Sequence, residues 1–164
     1  MLMTNQEELQ YVARGLSYDP LTGVLVRNEN WHCRRGVGKI VNGHDAKGYI
    51  RLHAFRKSFL SHRLIWLIMT GTAPNKHIDH INGVRDDNRW SNLRLATPLE
   101  NQRNKRPKGK FKGVCVHKST GKFQASIKVN GVNKHLGLFA SPQEAATAYE
   151  VAAKMYFGEF ARWS

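Results

Sequence analysis

The chain has 164 residues, of which 26 are Lys or Arg and 12 are Asp or Glu, giving a formal net charge of +14. Apolar residues make up 41%, enough for a packed core and against wholesale disorder, while the longest apolar run, Leu64 to Met69, is far short of the roughly 20 residues of a membrane span. The N-terminus shows no basic start with an apolar stretch behind it, and Cys33 and Cys115 are too few for a disulfide scaffold and too far apart for a local zinc knuckle, so the expectation is a soluble, intracellular, basic protein with no membrane partner and no structural zinc.

In chain order, residues 6–14 can form a short helix, and Asp19-Pro20-Leu21-Thr22-Gly23 reads as a turn leading into a strand at Val24–Arg27. Residues 28–46 are glycine-rich and polar and read as loop. Tyr49–His53 and Lys57–Leu60 look like paired strands; Ser61 is a plausible cap for a helix carrying Leu64, Ile65, Leu67 and Ile68, with Gly71 as its stop. Thr97-Pro98-Leu99-Glu100 places a hydroxyl at a helix cap, proline at the first position and glutamate three residues on, and Ser141-Pro142-Gln143-Glu144 repeats that grammar before an alanine-rich helix to about Phe157. Between these helices, residues 113–117, 123–129 and 133–139 read as three strands joined by Lys118-Ser119-Thr120-Gly121 and Asn130-Gly131, both hairpin-turn sequences.

The charge is unevenly placed. From Asn101 to Gln143 there are ten Lys or Arg and no acid. Such a stretch repels itself and is most readily neutralised by a polyanion, with counterion release and salt-dependent affinity. Nucleic acid is the favoured partner. Residues 105–112, Lys-Arg-Pro-Lys-Gly-Lys-Phe-Lys, have the composition of a linker, and the domain boundary is expected there.

Lys76–Gly83 has the pattern of a short strand running into a turn; Asn92–Ala96 follows, and then the capped helix with Asn101 in its first turn. A hairpin packed on that helix would gather Asp79, His80 and Asn101. A carboxylate and an amide oxygen are hard ligands suited to a magnesium-like ion, and a neutral imidazole beside them can take a proton from an attacking water. Each residue alone is weak evidence; the joint spacing carries the reading.

These residues resemble the HNH endonucleases of ββα-metal fold, in the phage and intron-encoded branch related to homing endonucleases. The similarity covers residues 61–66, 78–83, 87–89, 91–94 and 100–104, and the Asp19–Gly23 turn looks like the lead-in common to such proteins. The resemblance implies His80 as general base, Asp79 and Asn101 as ligands of Mg2+ or Mn2+, and Asn92 as the residue that holds the inter-strand loop and orients the base. Asn101 stands where many members have histidine, and Asn104 is the alternative if the helix register differs. His77 and Asn88 read better as surface or turn residues. Arg63 could clamp a phosphate, or its helix could simply pack under the hairpin.

Residues 111–160 carry a second resemblance, to the plant-type APETALA2 DNA-binding domain, through Lys112-Gly113-Val114, Gly121–Ile127, Leu136–Phe139 and Glu144–Tyr149. That domain lays a three-stranded sheet into the major groove and buries the other face against a helix. Alternation supports two faces independently: Phe123, Ala125, Ile127 and Val129 on one, Lys122, Gln124, Ser126 and Lys128 on the other. The helix offers Ala145, Ala148, Tyr149, Ala152 and Met155 as its apolar stripe. Cys115, His117 and His135 replace the plant domain's usual arginines and tryptophan, so its sequence specificity does not carry over.

The expectation is an α+β protein and a metal-dependent, nicking DNA endonuclease. An HNH nuclease domain with a strand-rich extension spans 1–106 (core about 76–105), a basic linker 107–112, and an APETALA2-like three-stranded antiparallel sheet packed on one helix 113–164. The expected partner is double-stranded DNA, contacted by Arg63, Arg103, Lys105, Arg106, Lys118, Lys122, Gln124, Lys128, Lys134 and His135. By resemblance the setting is a phage or mobile element, hence a bacterial host cytoplasm. Monomer and homodimer both stay open, as does a non-catalytic DNA-binding regulator that retains the fold; an RNA binder is weaker, because no RNP signature is visible.

Overall fold

The computed structural model describes residues 5–30, 36–105 and 110–162. Helix α1 (Asn5–Arg14) buries Val12 and Ala13, and strand β1 (Leu16–Tyr18) pairs antiparallel with β2 (Leu25–Arg27) around the Asp19–Gly23 turn. Asp19 builds that turn: its carboxylate accepts from the Leu21 N–H at 2.9 Å and the Thr22 hydroxyl at 2.6 Å. The stretch expected as loop contains β3 (Gly43–His44), paired with β4 (Ile50–Ala54), which pairs in turn with β5 (Lys57–Leu60) in an antiparallel three-stranded sheet. A two-residue strand exists only because β4 offers it an edge, so no local pattern announces it.

Helix α2 (Ser61–Thr70) continues directly from β5, and this displaces the expected cap. Leu60 occupies the cap position without a side-chain hydrogen bond, while Ser61 is the first helical residue and its buried Oγ has no partner among the described residues. Gly71 ends the helix as expected, its N–H donating to Leu67 O at 2.8 Å. Leu64, Ile65 and Leu67 meet Val12, Leu25, Leu52, Ile78 and Leu93 in one core, each such burial stabilising by about 1.5–3 kcal/mol. Strands β6 (His77–His80) and β7 (Leu93–Ala96) then form an antiparallel hairpin in the register Asp79 to Arg94 and His80 to Leu93.

After Thr97 come α3 (Pro98–Arg103), strands β8 (Val114–Val116), β9 (Phe123–Val129) and β10 (Val132–Phe139), and helix α4 (Pro142–Phe157). The three strands form an antiparallel sheet in the order β10-β9-β8. Ser141 caps α4 as its sequence predicts, its Oγ accepting from the Glu144 N–H at 3.2 Å. Gly113 is held at φ +70, and a Cβ there would sit 2.2 Å from the Tyr149 ring and 2.5 Å from Ser126 O, so only glycine admits the contact of strand and helix. Ile127, Tyr149, Ala152, Ala153 and Phe157 form this core. Met155, expected in the apolar stripe, is 74% exposed; Ala153 and Phe157, one turn apart, take the inward face instead.

Contacts divide the chain into Met1–Thr97 and Pro98–Ser164. The sequence places the boundary in the basic linker; the structure groups α3 with the C-terminal unit. The cause is local: the Lys112 ammonium donates to Arg103 O and, at 3.0 Å, to Lys105 O, and the Arg103 guanidinium lies 4.4 Å from the centre of the Phe157 ring.

Candidate functional site

Asp79 and His80 are neighbours on β6, so their side chains leave opposite faces of the strand, and both are buried. Cross-strand pairing sets Asp79 opposite Arg94, whose Nε and Nη2 donate to Asp79 Oδ2 at 3.0 and 2.8 Å. The Arg94 side chain is also mostly buried, so this is a charge-assisted pair in a low-dielectric setting.

The His80 ring packs edge-on against His62 of α2, with centroids 5.2 Å apart at 86°, and lies 5.9 Å from Tyr49. Its Nε2 is 3.1 Å from Asn88 Oδ1. Burial pushes the His80 imidazole below its ordinary value, outweighing the Asn88 hydrogen bond and the nearby charges of Asp79, Asp87 and Asp86. It pushes His62 further, to about 3, and His62 Nδ1 is buried with no hydrogen-bond partner among the described residues. Both rings are therefore neutral at physiological pH, the state in which an imidazole can accept a proton.

The loop between β6 and β7 is held by Asn92. Its Oδ1 accepts from the Asn82 N–H at 2.9 Å, its Nδ2 donates to Asp87 O at 2.7 Å, and its own carbonyl accepts from the Ile81 N–H. Holding the loop is half of what the resemblance implies for Asn92. Both atoms of its amide go to the loop backbone, and the residue on the imidazole is Asn88, whose sequence position predicts only a turn residue. Nothing in a single sequence distinguishes the two asparagines: both are buried, and they part only in their partners, Asn88 on the His80 ring and Asn92 on the loop backbone. Asp87 completes the loop: hydrogen bonds from Arg89 and then Asn82 hold its carboxyl at about 2.

Other expected site residues fall as follows. Arg63 Nη2 donates to Pro74 O at 3.1 Å, tying α2 to the segment that leads into β6. Asn101 lies on α3 in the C-terminal unit, half-buried, and Asn104 just beyond the helix is buried. Leu99, Gln102 and Arg103 line a cavity of about 360 Å³ with Lys112, Lys128, Tyr149 and Phe157; at about 100° per residue, Asn101 leaves the opposite side of the helix. Burial and the Arg162 charge lower Lys112 to about 8. Lys105 is exposed, and Arg106 lies outside the described residues.

On the C-terminal sheet, Gln124 and His135 share the face turned away from α4, where Gln124 Nε2 lies 3.2 Å from His135 Nδ1, and Lys128, which borders the cavity, is exposed near the end of β9. Lys118 and Lys122 are exposed at the β8–β9 turn. Lys134 differs. Its cross-strand partner is the buried Ile127, which puts it on the helix side, where its ammonium sits 4.7 Å from the Tyr156 ring centre and donates to the Tyr156 hydroxyl at 3.2 Å.

Among the described residues no three His, Cys, Asp or Glu side chains cluster as a metal-binding group. The expected pair is one carboxylate and one amide oxygen, hard donors that fit a magnesium-type ion whose remaining positions go to water and phosphate. Asp79 Oδ2 accepts from Arg94, so the carboxylate would hold such an ion while paired with the guanidinium.

Residues 59–103, which hold this hairpin and its asparagine-held loop, match the sequence model of the HNH endonuclease family. The chain is also similar to a viral protein, the uncharacterised HNH endonuclease L560 of Acanthamoeba polyphaga mimivirus, at 38% identity over 102 residues. That match takes in 61% of this chain and spans about half, 54%, of the relative. No solved structure matches.

Proposed function

We propose that the protein is a metal-dependent endonuclease that nicks double-stranded DNA, with His80 as general base. The supporting observation is His80 itself: a histidine kept neutral by burial, adjacent to Asp79, inside the segment that matches the HNH family. Asp79 and Asn101 would hold the metal, whose chemistry is to stabilise negative charge on the scissile phosphate and the leaving oxygen. His80 removes a proton from the water that attacks phosphorus, and Asn92 keeps the loop beside it in shape. Lys118, Lys122, Gln124, Lys128 and His135 would hold DNA on the sheet in the manner of an APETALA2 domain, the lysines on phosphates and Gln124 and His135 near base edges. One site per monomer makes a nick the simplest product. A virus or mobile element acting in its host's cytoplasm is the setting in which we place it.

A second reading, a non-catalytic DNA-binding regulator, draws on the Asp79–Arg94 pair, which already neutralises the one expected carboxylate ligand. Relaxation of supercoiled plasmid decides between them. The endonuclease converts plasmid to open circle with magnesium or manganese, stops on chelation, and loses at least about 100-fold in rate in His80→Ala. Binding without cleavage under either metal, with His80→Ala indistinguishable from wild type, establishes the regulator.

A further inference from the structure

We propose that Asn88 is the positioning residue for His80, and that the β1–β2 hairpin is the brace that keeps Asn88 in place. The inference rests on His80 being the general base and extends it to a segment outside the 59–103 family match.

Asn88 lies in a loop whose neighbours Val84, Arg85, Asp86 and Arg89 are exposed, yet it is 2% exposed itself. Burying an amide is costly unless its polar atoms are bonded, and Asn88 Oδ1 meets His80 Nε2 at 3.1 Å. An amide oxygen only accepts, so this contact puts the imidazole proton on Nε2 and leaves the lone pair on Nδ1. His62 and Tyr49 pack against the ring and limit its tilt, while Asn88 supplies the polar contact that selects the tautomer.

Asn88 is fixed from the N-terminal hairpin. The Tyr18 hydroxyl donates to Asn88 O at 2.8 Å, and the Trp90 N–H donates to Pro20 O at 3.1 Å. Between them, Gly23 lies directly on the Asn88–Arg89 peptide: a Cβ at Gly23 would stand 2.7 Å from Asn88 C and 2.6 Å from Arg89 N. Its φ of +76 suits glycine for a second reason. Asp19 keeps the turn rigid by accepting from Leu21, Thr22 and Gly23. The turn from Asp19 to Gly23 is thus shaped to seat the loop that bears Asn88.

The test uses the full chain and three readouts: single-turnover plasmid nicking at saturating protein, DNA affinity, and 15N spectra of the histidines. In the wild type His80 should be the Nε2–H tautomer. Asn88→Ala should lower the nicking rate about 10- to 100-fold, leave affinity within about two-fold, and release His80 into mixed tautomers. Asn88→Asp retains an acceptor for Nε2–H and should recover part of the rate. Tyr18→Phe removes one hydroxyl and should act in the same direction as Asn88→Ala but more weakly. Gly23→Ala should match Asn88→Ala; if it fails to fold, Tyr18→Phe still reads the brace. Wild-type rate and an unchanged His80 tautomer in Asn88→Ala overturn the proposal. If no variant or wild type nicks, the endonuclease reading fails, and the tautomer spectra alone then judge the contact of Asn88 with His80.

Discussion

At the scale of single residues, the pair His62 and His80 carries the clearest pH signature. Both are pushed below the ordinary histidine value by burial, His62 from 6.5 to about 3. A group whose folded pKa is depressed contributes stability that is fully present above its unfolded pKa and is lost as pH falls toward the folded one. The window for His62 is therefore from about 6.5 down to about 3, because the unfolded chain takes up a proton that the folded chain refuses. Asp45 and Asp87, held at about 2 chiefly by Arg51 and Arg89, change stability only between 3.8 and about 2, so they leave the upper part of that window to the histidines. His62→Phe preserves a ring against Tyr49 and His80 and removes the titration. Urea midpoints at pH 7 and pH 5 should differ by less in His62→Phe than in the wild type, by on the order of 1–2 kcal/mol in stability. An equal acid sensitivity in both proteins would place the buried titration elsewhere. The same two residues mark where sequence reading stops. Asp79 and His80 are legible from spacing, but the neighbour across the ring, His62, comes from helix α2, and Asn88 is separated from Asn92 only by the tertiary contacts that set one on the imidazole and the other on the loop backbone.

At the scale of elements, the β6–β7 hairpin carries a buried ion pair. Arg94 and Asp79 face each other in register, and both are shielded from water. A buried pair is weak evidence of net stabilisation, yet removing one partner leaves an uncompensated buried charge, at a cost of about 3–5 kcal/mol. Arg94→Met should unfold near that far below the wild type, and Asp79→Asn should be destabilised similarly. The double substitution should recover much of the loss, because no charge is then left alone. Additive losses in chemical denaturation would mean that the two side chains are solvated independently. Local signals served well elsewhere at this scale. Asn130-Gly131 closes β9 onto β10, and Ser141-Pro142 opens α4, since turn and cap chemistry lie within a few residues of the structure they form. Ser61 misled for the opposite reason: β5 runs into α2 with no intervening turn, and only tertiary packing reveals it.

At the scale of the molecule, the +14 charge points to nucleic acid, and the division of the chain determines how the two halves share the work. The sequence draws the nuclease as a unit that ends before the linker, which implies that removing everything after the linker's start leaves weak cleavage intact. The fold argues otherwise. Helix α3, which bears Asn101, has six residues and buries none of them, and isolated helices shorter than about 12 residues are marginal. What secures it is Lys112 on its terminal carbonyls and Phe157 under Arg103. A protein ending at Lys105 should therefore lose metal-dependent nicking outright, even at low salt where binding is strong, while circular dichroism still reports a folded N-terminal unit. In the full chain, Lys112→Met should lower the nicking rate more than it lowers affinity. The combined change of Lys122, Lys128 and His135 to Gln should do the reverse, reducing affinity and flattening its salt dependence by about 0.9 in the log-log slope per lost phosphate contact, with the saturated rate preserved. Residual nicking by the truncated protein would return α3 to the N-terminal half and make the C-terminal unit a docking module alone.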